Sequence, residues 1–286
     1  IAASGSLASI IPPSIVMIVI AITANQSIGA MFLGGIVPGV MCAGALMVMV
    51  YFIARKRNYP VDPISRPTEI ASLFVKSLPA LLTPVVIVGG IFSGYFSPTE
   101  AAAITVLYAI LIDVLFYREL TLQKLWSAIY ETTVTSSGIA TIIAGVGLLG
   151  WVLAREQAPQ QIAQLFLNIA DGPISFLIAV NLMIFVLGAF IESLVILLIV
   201  VPILVPVALG FGIDPVHFGI IVVLNLMISI LTPPMGMALF VVAQVGGIPY
   251  QRLARAILPW LVPPIVVLIL VCTFPILATG LPSLMD

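Results

Sequence analysis

The stretch that most limits what this chain can become is residues 222–247, VVLNLMISILTPPMGMALFVVAQVGG. It is apolar and long enough to cross a bilayer, yet Thr232-Pro233-Pro234-Met235-Gly236 stands in its middle. Proline lacks a backbone N–H and its ring crowds the preceding turn, so two in succession interrupt a helix. The carbonyls freed by the break need other partners in hydrocarbon. Broken backbone at membrane depth is therefore tolerated where protein buries it or where it lines a polar cavity. Asn225, Ser229 and Thr232 put side-chain oxygens in the turns just before the break. One reading is a proline kink whose Ser and Thr bond back to their own helix; the other is a helix discontinuity that binds a small cation or solute.

A second copy favours the second reading. Residues 4–26 read SGSLASIIPPSIVMIVIAITANQ, again an apolar run broken by two prolines, Pro12 and Pro13. Sliding the chain by 221 residues superposes this pair on Pro233-Pro234, Ile36 on Ile257 and Pro38 on Pro259, without a gap. Ser4 then falls on Asn225 and Ala8 on Ser229. Paired interrupted helices in corresponding halves point to the binding site of a secondary transporter.

Composition sets the class. With 62% apolar and 7% charged residues and a mean hydropathy of +1.30, the chain reads as an all-α integral membrane protein whose surroundings are a lipid bilayer. It carries no basic stripe suited to nucleic acid. Cys42 and Cys272 both lie in apolar runs without metal-ligand spacing and read as packing residues. No nucleophile–base pair, metal cluster or nucleotide-binding loop is present, so neither an enzyme nor a cofactor is expected. Uphill transport by such a chain would draw on an ion gradient. Hydroxyls, amide oxygens and freed carbonyls with few charges suit Na⁺ as the coupling ion.

Taken in order, residues 1–54 hold the first broken helix and a following span that ends at Arg55-Lys56-Arg57. Residues 55–78 form an aqueous loop with a surface helix, and an apolar span starts at Leu78. Residues 79–172 hold scaffold-type spans and amphipathic connectors. Within them Ser97-Pro98-Thr99-Glu100 reads as a helix start with Ser97 as N-cap and Glu100 closing a capping box. The Ala-rich span after it runs to Tyr117, residues 118–131 resemble an interfacial helix, and a separate span opens at Thr132. Residues 155–171 are polar and read as surface. Residues 173–247 combine a hairpin with the second broken helix, and residues 248–286 hold a final span from about Arg255. The run 173–212 would make one helix of about 60 Å, twice the hydrocarbon thickness, and is better folded as a re-entrant hairpin with its tip at residues 188–193.

Alternating the spans puts nine of the 10 basic residues on one side and Arg155 on the other, which makes the first side cytoplasmic. The two broken spans then run in opposite directions, as an inverted repeat requires. Glu192 is the one carboxylate placed deep in the membrane, where an ionisable group faces a cavity or a partner. Its structural alternative is a hydrogen-bonded glutamate at the hairpin turn. His217, at a span's outer end, reads as a cap or a hydrogen-bonded structural group, and Asp113 as a group that snorkels or bonds to a neighbouring helix.

The runs GSLASIIPPSI, GGIFSGYFSPTEAAA, GIDPVHFGIIVVLNLMISILTPPMG and RAILPWL together resemble the large membrane subunit of tripartite ATP-independent periplasmic (TRAP) transporters. The resemblance covers essentially the whole chain in order. It implies a Na⁺-coupled importer of organic acids, such as C4-dicarboxylates or sialic acid, in the bacterial inner membrane. The implied partners are a small membrane subunit and a periplasmic substrate-binding protein. The implied mechanism is an elevator, in which two hairpins and two broken helices slide against a scaffold. Mapped onto this chain, the second hairpin is 187–210 with its tip around Glu192-Ser193. The family pattern has glycine where this chain has Ala8 and Ser229, and threonine at Ser97. The first hairpin is expected just before the GSLASIIPPS run. The chain opens at Ile1, almost on a broken helix, so an N-terminal portion is expected to precede it.

On this reading the ion- and substrate-binding residues are Ser4, Gly5, Ser6, Pro12, Pro13 and Ser14 in the first half. Their counterparts in the second half are Glu192, Ser193, Asn225, Ser229, Thr232, Pro233, Pro234 and Gly236. Na⁺ would be held by Ser6, Ser193, Asn225 and Thr232 with backbone carbonyls. The competing readings are a passive channel, a carrier that works without a binding protein, an enzyme built on Glu192 and His217, and an assembly scaffold.

Overall fold

A computed structural model describes residues 1–59 and 66–284. Every regular element among them is helical. In chain order these are α1 (Ala2–Gly5), α2 (Ile15–Thr23), α3 (Ile28–Lys56), α4 (Pro67–Phe92) and α5 (Pro98–Ile112). There follow α6 (Leu122–Arg155), α7 (Ala158–Ile169), α8 (Pro173–Gly188), α9 (Ser193–Gly210) and α10 (Pro215–Ser229). The chain ends with α11 (Met237–Gly246), α12 (Tyr250–Ile257), α13 (Val262–Thr273) and α14 (Ile276–Thr279). Among the described residues six helical stretches are long and apolar enough to cross a membrane, the last running through Tyr250–Thr273. Two units pack separately: Ile1–Ala54 with Ile142–Asp286, and Arg55–Thr141.

The larger unit is built on α10. Its sequence is apolar nearly all round, which suits a helix surrounded by other helices or by lipid. Residues 216–229 are all buried, against α2, α8, α9, α13, α14 and the short turn Ser6–Ser9. Asp214 caps the start of α10, its carboxylate accepting the His217 N–H at 2.9 Å. His217, 3% exposed, uses its ring Nε2–H to donate to the Val271 carbonyl on α13 at 2.8 Å, the structural role its sequence position indicates. Phe166 of α7, Phe176 of α8, Phe211 and Phe218 of α10 form one aromatic cluster with ring centroids 5.1–6.1 Å apart. The segment 155–171 is therefore not simply polar surface, because α7 turns Phe166 inward.

The run 173–212 does fold as two helical arms, α8 and α9, joined at residues 189–192. The narrower hairpin at 187–210 is corrected by this, since nearly all of that range is the single helix α9. No breaker stands between Ser193 and Gly210 except Pro202 and Pro206, and the helix carries both.

In the smaller unit, α4 begins at Pro67 and not at Leu78. Pro67 needs no N–H at the first helical position, and Glu69 folds back to accept the Arg66 N–H at 3.3 Å, so the helix starts there despite its charges. The part of the expected loop at residues 60–65 lies outside the described residues. The chain returns through Gly94, at φ +72°, into α5, which pairs with α4; Tyr108 and Tyr117 donate to the Pro79 and Lys76 carbonyls at 2.8 and 3.0 Å. The capping box is formed as its spacing indicates. The Ser97 Oγ accepts the Glu100 N–H at 3.3 Å, and the Glu100 carboxylate accepts the Ser97 N–H at 2.8 Å. Replacing Ser97 by alanine is expected to cost about 1 kcal/mol locally, read as a roughly fivefold rise in hydrogen exchange over the first turn of α5. Beyond Ile112 the helix widens through Asp113–Tyr117 and stops at Arg118, which takes φ 56°. Asp113 accepts the Glu119 N–H at 3.1 Å and so closes that turn.

The separate interfacial helix and span at Thr132 are corrected too, because α6 runs unbroken from Leu122 to Arg155. Its hydroxyls do not end it. Thr133, Thr135, Ser137 and Thr141 each donate to the carbonyl four residues back, at 2.7–2.9 Å, which satisfies them within the helix. The last span starts at Tyr250 and not near Arg255, with Pro249 at its N-cap.

Candidate functional site: two broken helices and a hairpin tip

Both prolyl pairs interrupt helices as their chemistry requires. The first break follows the turn Ser6–Ser9, and helix resumes with α2 at Ile15. The second follows α10, and helix resumes with α11 at Met237. The Pro12-Pro13 and Pro233-Pro234 peptide bonds are both cis. Pro38 and Pro259 fall within the spans that follow, in α3 and in the 3₁₀ turn after α12.

At the first break Ser14 does the joining. Its Oγ donates to the Ser9 carbonyl at 2.6 Å and accepts the Met17 N–H at 3.4 Å, so one side chain ties the last carbonyl before the break to the first turn after it. Ser6, 5% exposed, donates to the Ala3 carbonyl at 2.9 Å, and exposed Ser4 donates to the Ile1 carbonyl at 3.0 Å. Gly5 ends α1, and nothing lies within 4 Å of where a Cβ would stand. Pro12 and Pro13 are half-buried.

At the second break Asn225, Ser229 and Thr232 are all buried. The Ser229 Oγ donates to the Asn225 carbonyl at 2.9 Å, and the Thr232 Oγ1 donates to the Ile228 carbonyl at 2.9 Å. Both readings of the sequence meet here. Each hydroxyl bonds back to its own helix, yet that uses only its proton, and its oxygen lone pairs stay available as acceptors. Gly236 is buried where the chain folds back on the break: a Cβ there would lie 2.9 Å from the Ile230 carbonyl oxygen and 3.0 Å from that of Thr232. Pro233 is half-buried and Pro234 exposed.

The hairpin tip reaches this break through Gly188, the last residue of α8. A Cβ on Gly188 would stand 2.5 Å from the Ser229 Cβ, so the two backbones touch with no side chain between them. Seven residues earlier Asn181 meets Asn225. The two helices therefore run in the same direction and end side by side, bringing two carbonyl-rich C-termini together. Packing of α10 against α2 and the Ser6–Ser9 turn, and of α2 along α9, brings the first broken helix to the second and to the hairpin.

Glu192 and Ser193 take different roles. The Glu192 carboxylate accepts the Leu194 N–H at 2.7 Å and caps α9, and Ser193 is the first residue of that helix; both are half-buried. Among the described residues no hydrogen bond joins either of them to Asn225, Ser229 or Thr232.

Sequence reasoning passed over three residues. Asn181 is the lone amide in the apolar run of α8, and that isolation was a readable signal. Gly188 was seen only as part of a tip. Tyr250 donates from its hydroxyl to the Pro234 carbonyl at 2.7 Å and stacks on Phe240 at 4.3 Å, clasping the break from α12; no local pattern announces that contact.

Residues 1–277 match the family model for the tripartite ATP-independent periplasmic transporter, DctM component. The chain is 50% identical over 283 residues to the sialic acid TRAP transporter large permease protein SiaM of Vibrio cholerae, covering 99% of this chain and 66% of that one. It is 43% identical over 284 residues to the sialic acid TRAP transporter permease protein SiaT of Haemophilus influenzae, covering 99% and 46%. To the C4-dicarboxylate TRAP transporter large permease protein DctM of Pseudomonas aeruginosa it is 40% identical over 280 residues, covering 98% and 66%. The chain thus spans between 46% and 66% of the length of these three relatives. With its long apolar helices, this match makes the chain a multi-pass protein of the bacterial inner membrane that belongs to the DctM component family of tripartite ATP-independent periplasmic transporters.

Proposed function

We propose that this chain is part of the large membrane subunit of a Na⁺-coupled, binding-protein-dependent importer of small organic acids. The observation that carries this is the end of α10, where buried Asn225, Ser229 and Thr232 lead into a broken backbone that abuts the hairpin tip at Gly188. A cation is favoured where helix C-termini converge, and an anion where helix N-termini begin. Na⁺ then sits at the carbonyl ends of α8 and α10 with Ser193, Asn225, Ser229 and Thr232, and Glu192 shapes the tip by capping α9. A second Na⁺ site uses Ser6, Ser14 and the carbonyls of the first break. The substrate carboxylate lies between the breaks, near the N-termini of α2 and α11. Similarity to relatives named for sialic acid and for C4-dicarboxylates supports an organic-acid substrate.

The partners are a small membrane subunit and a periplasmic substrate-binding protein, as the tripartite family description indicates. Nine of the 10 basic residues face the cytoplasm, and the two broken helices cross in opposite senses as an inverted repeat. Transport proceeds by an elevator movement of the part that carries the hairpin and the broken helices.

The test is uptake of sialic acid and of succinate into proteoliposomes holding the full-length protein, its small subunit and its binding protein, with and without an inward Na⁺ gradient. Accumulation of one acid that requires both the gradient and the binding protein is the expected result. Uptake that needs neither, and stops when inside and outside concentrations match, would replace this reading with a passive channel.

A further inference from the structure

The amide of Asn225 is 1% exposed, and both of its N–H groups go to one residue on another helix. They donate to the backbone carbonyl of Asn181 at 2.8 Å and to its side-chain oxygen at 2.7 Å. The Asn225 Oδ1 faces the other way, 3.3 Å from the Ser229 Oγ that donates toward it. Asn181 is itself held, its Nδ2 donating to the Leu177 carbonyl at 2.8 Å and to the Cys272 Sγ on α13 at 3.5 Å. A chain of hydrogen bonds therefore runs from α13 through α8 to the end of α10 and its break.

Asn225 is enclosed, and half-buried Asn181 stands at the edge of a largely apolar groove. Asn181 and Asn225 border a cavity of ≈ 490 Å³ whose walls include Ile178, Leu182, Leu268 and Ile269. In such lining an unmade amide bond carries its full desolvation penalty. The Asn181 side-chain oxygen, together with its backbone carbonyl, thus orients the Asn225 amide, and the Asn225 Oδ1 is turned toward the Ser229 hydroxyl, whose proton it shares with the closer Asn225 carbonyl.

We propose that Asn181 is a positioning residue for the cation site at the second break, acting through Asn225 on Ser229 without touching the ion. The claim rests on the reading of that break as a Na⁺ site, and it adds a residue that lies outside the site. Because α8 also ends at Gly188, the same helix then supplies both the wall of the site and the brace that sets its opposite face.

Two variants with opposite packing effects isolate the amide. Asn181→Leu fills the space with apolar atoms. Asn181→Ser leaves a gap, and its hydroxyl bonds back to its own helix without reaching Asn225. Each is made in the full-length protein with its partner subunits. The readouts are the Na⁺ concentration for half-maximal uptake, the maximal rate, and hydrogen exchange over residues 225–236.

In both variants the Na⁺ half-saturation should rise about tenfold and exchange over 225–236 by a similar factor, while the maximal rate stays within about twofold. Unchanged exchange and unchanged Na⁺ half-saturation would overturn the proposal. So would failure of both variants to fold, or a fall in maximal rate and stability at constant Na⁺ half-saturation, since those are the marks of a packing residue alone. If native uptake ignores Na⁺ while exchange over 225–236 still rises in both variants, the Na⁺ reading falls and the brace stands.

Discussion

Replacing Gly188 by alanine is expected to reduce uptake more than tenfold and to destabilise the larger unit by about 1–3 kcal/mol. The added Cβ would stand 2.5 Å from the Ser229 Cβ and 2.7 Å from its Oγ, well inside contact distance. Neither partner can yield cheaply. Gly188 ends α8, with the Ala189 N–H bonded back to the Val186 carbonyl and the Phe190 and Ile191 N–H groups to that of Leu187, and Ser229 is fully buried and tied to Asn225. The tip must therefore lift from the break or α10 must shift along its neighbours. The matching test is the double variant Gly188→Ala with Ser229→Gly, which removes one Cβ as it adds another. If the contact is the cause, the pair should recover most of the lost stability, measured by thermal unfolding of the purified protein. Native behaviour in Gly188→Ala alone would show that the tip does not rest on Ser229 in the working protein.

Thr232→Ala should raise the Na⁺ half-saturation about tenfold, equivalent to about 1.4 kcal/mol, with little loss of stability. The two effects separate because of how the break is wired. The Ile228 carbonyl that accepts the Thr232 hydroxyl also accepts the Leu231 N–H at 3.1 Å, so alanine leaves no buried acceptor without a partner. What alanine does remove is the hydroxyl oxygen, 8% exposed as part of Thr232, whose lone pairs are free to meet a cation. Thr232→Ser should keep Na⁺ activation near native, whereas Thr232→Val, which holds the shape and loses the oxygen, should match alanine. Na⁺ activation unchanged in both alanine and valine variants would remove Thr232 from the ion site.

Some of this molecule was legible before any coordinates. Residues 222–247 had to break at Pro233-Pro234, and residues 4–26 at Pro12-Pro13, because a missing N–H and a ring clash act within one turn. Ser97 and Glu100 announced a helix start because a capping box also acts within one turn, and the excess length of residues 173–212 required that run to fold back. Local rules also misled. The charged stretch before Leu78 read as loop and Thr132 as the opening of a separate span, yet capping at Pro67 and back-bonding along α6 carried the helices through both.

What only the tertiary structure decided was which faces meet. Asn181 finds Asn225 across 44 residues of sequence, Gly188 finds Ser229, and Tyr250 reaches back to Pro234. Glu192, singled out for its charge, proved to be bonded to its own helix, while the uncharged Asn181 joined the network. Backbone sterics and capping depend on neighbours in the chain and can be read from residue order. Interhelical pairing depends on the rotation and register at which apolar faces dock, and many registers bury nearly the same area, so the polar contacts that discriminate among them appear only once the helices are packed.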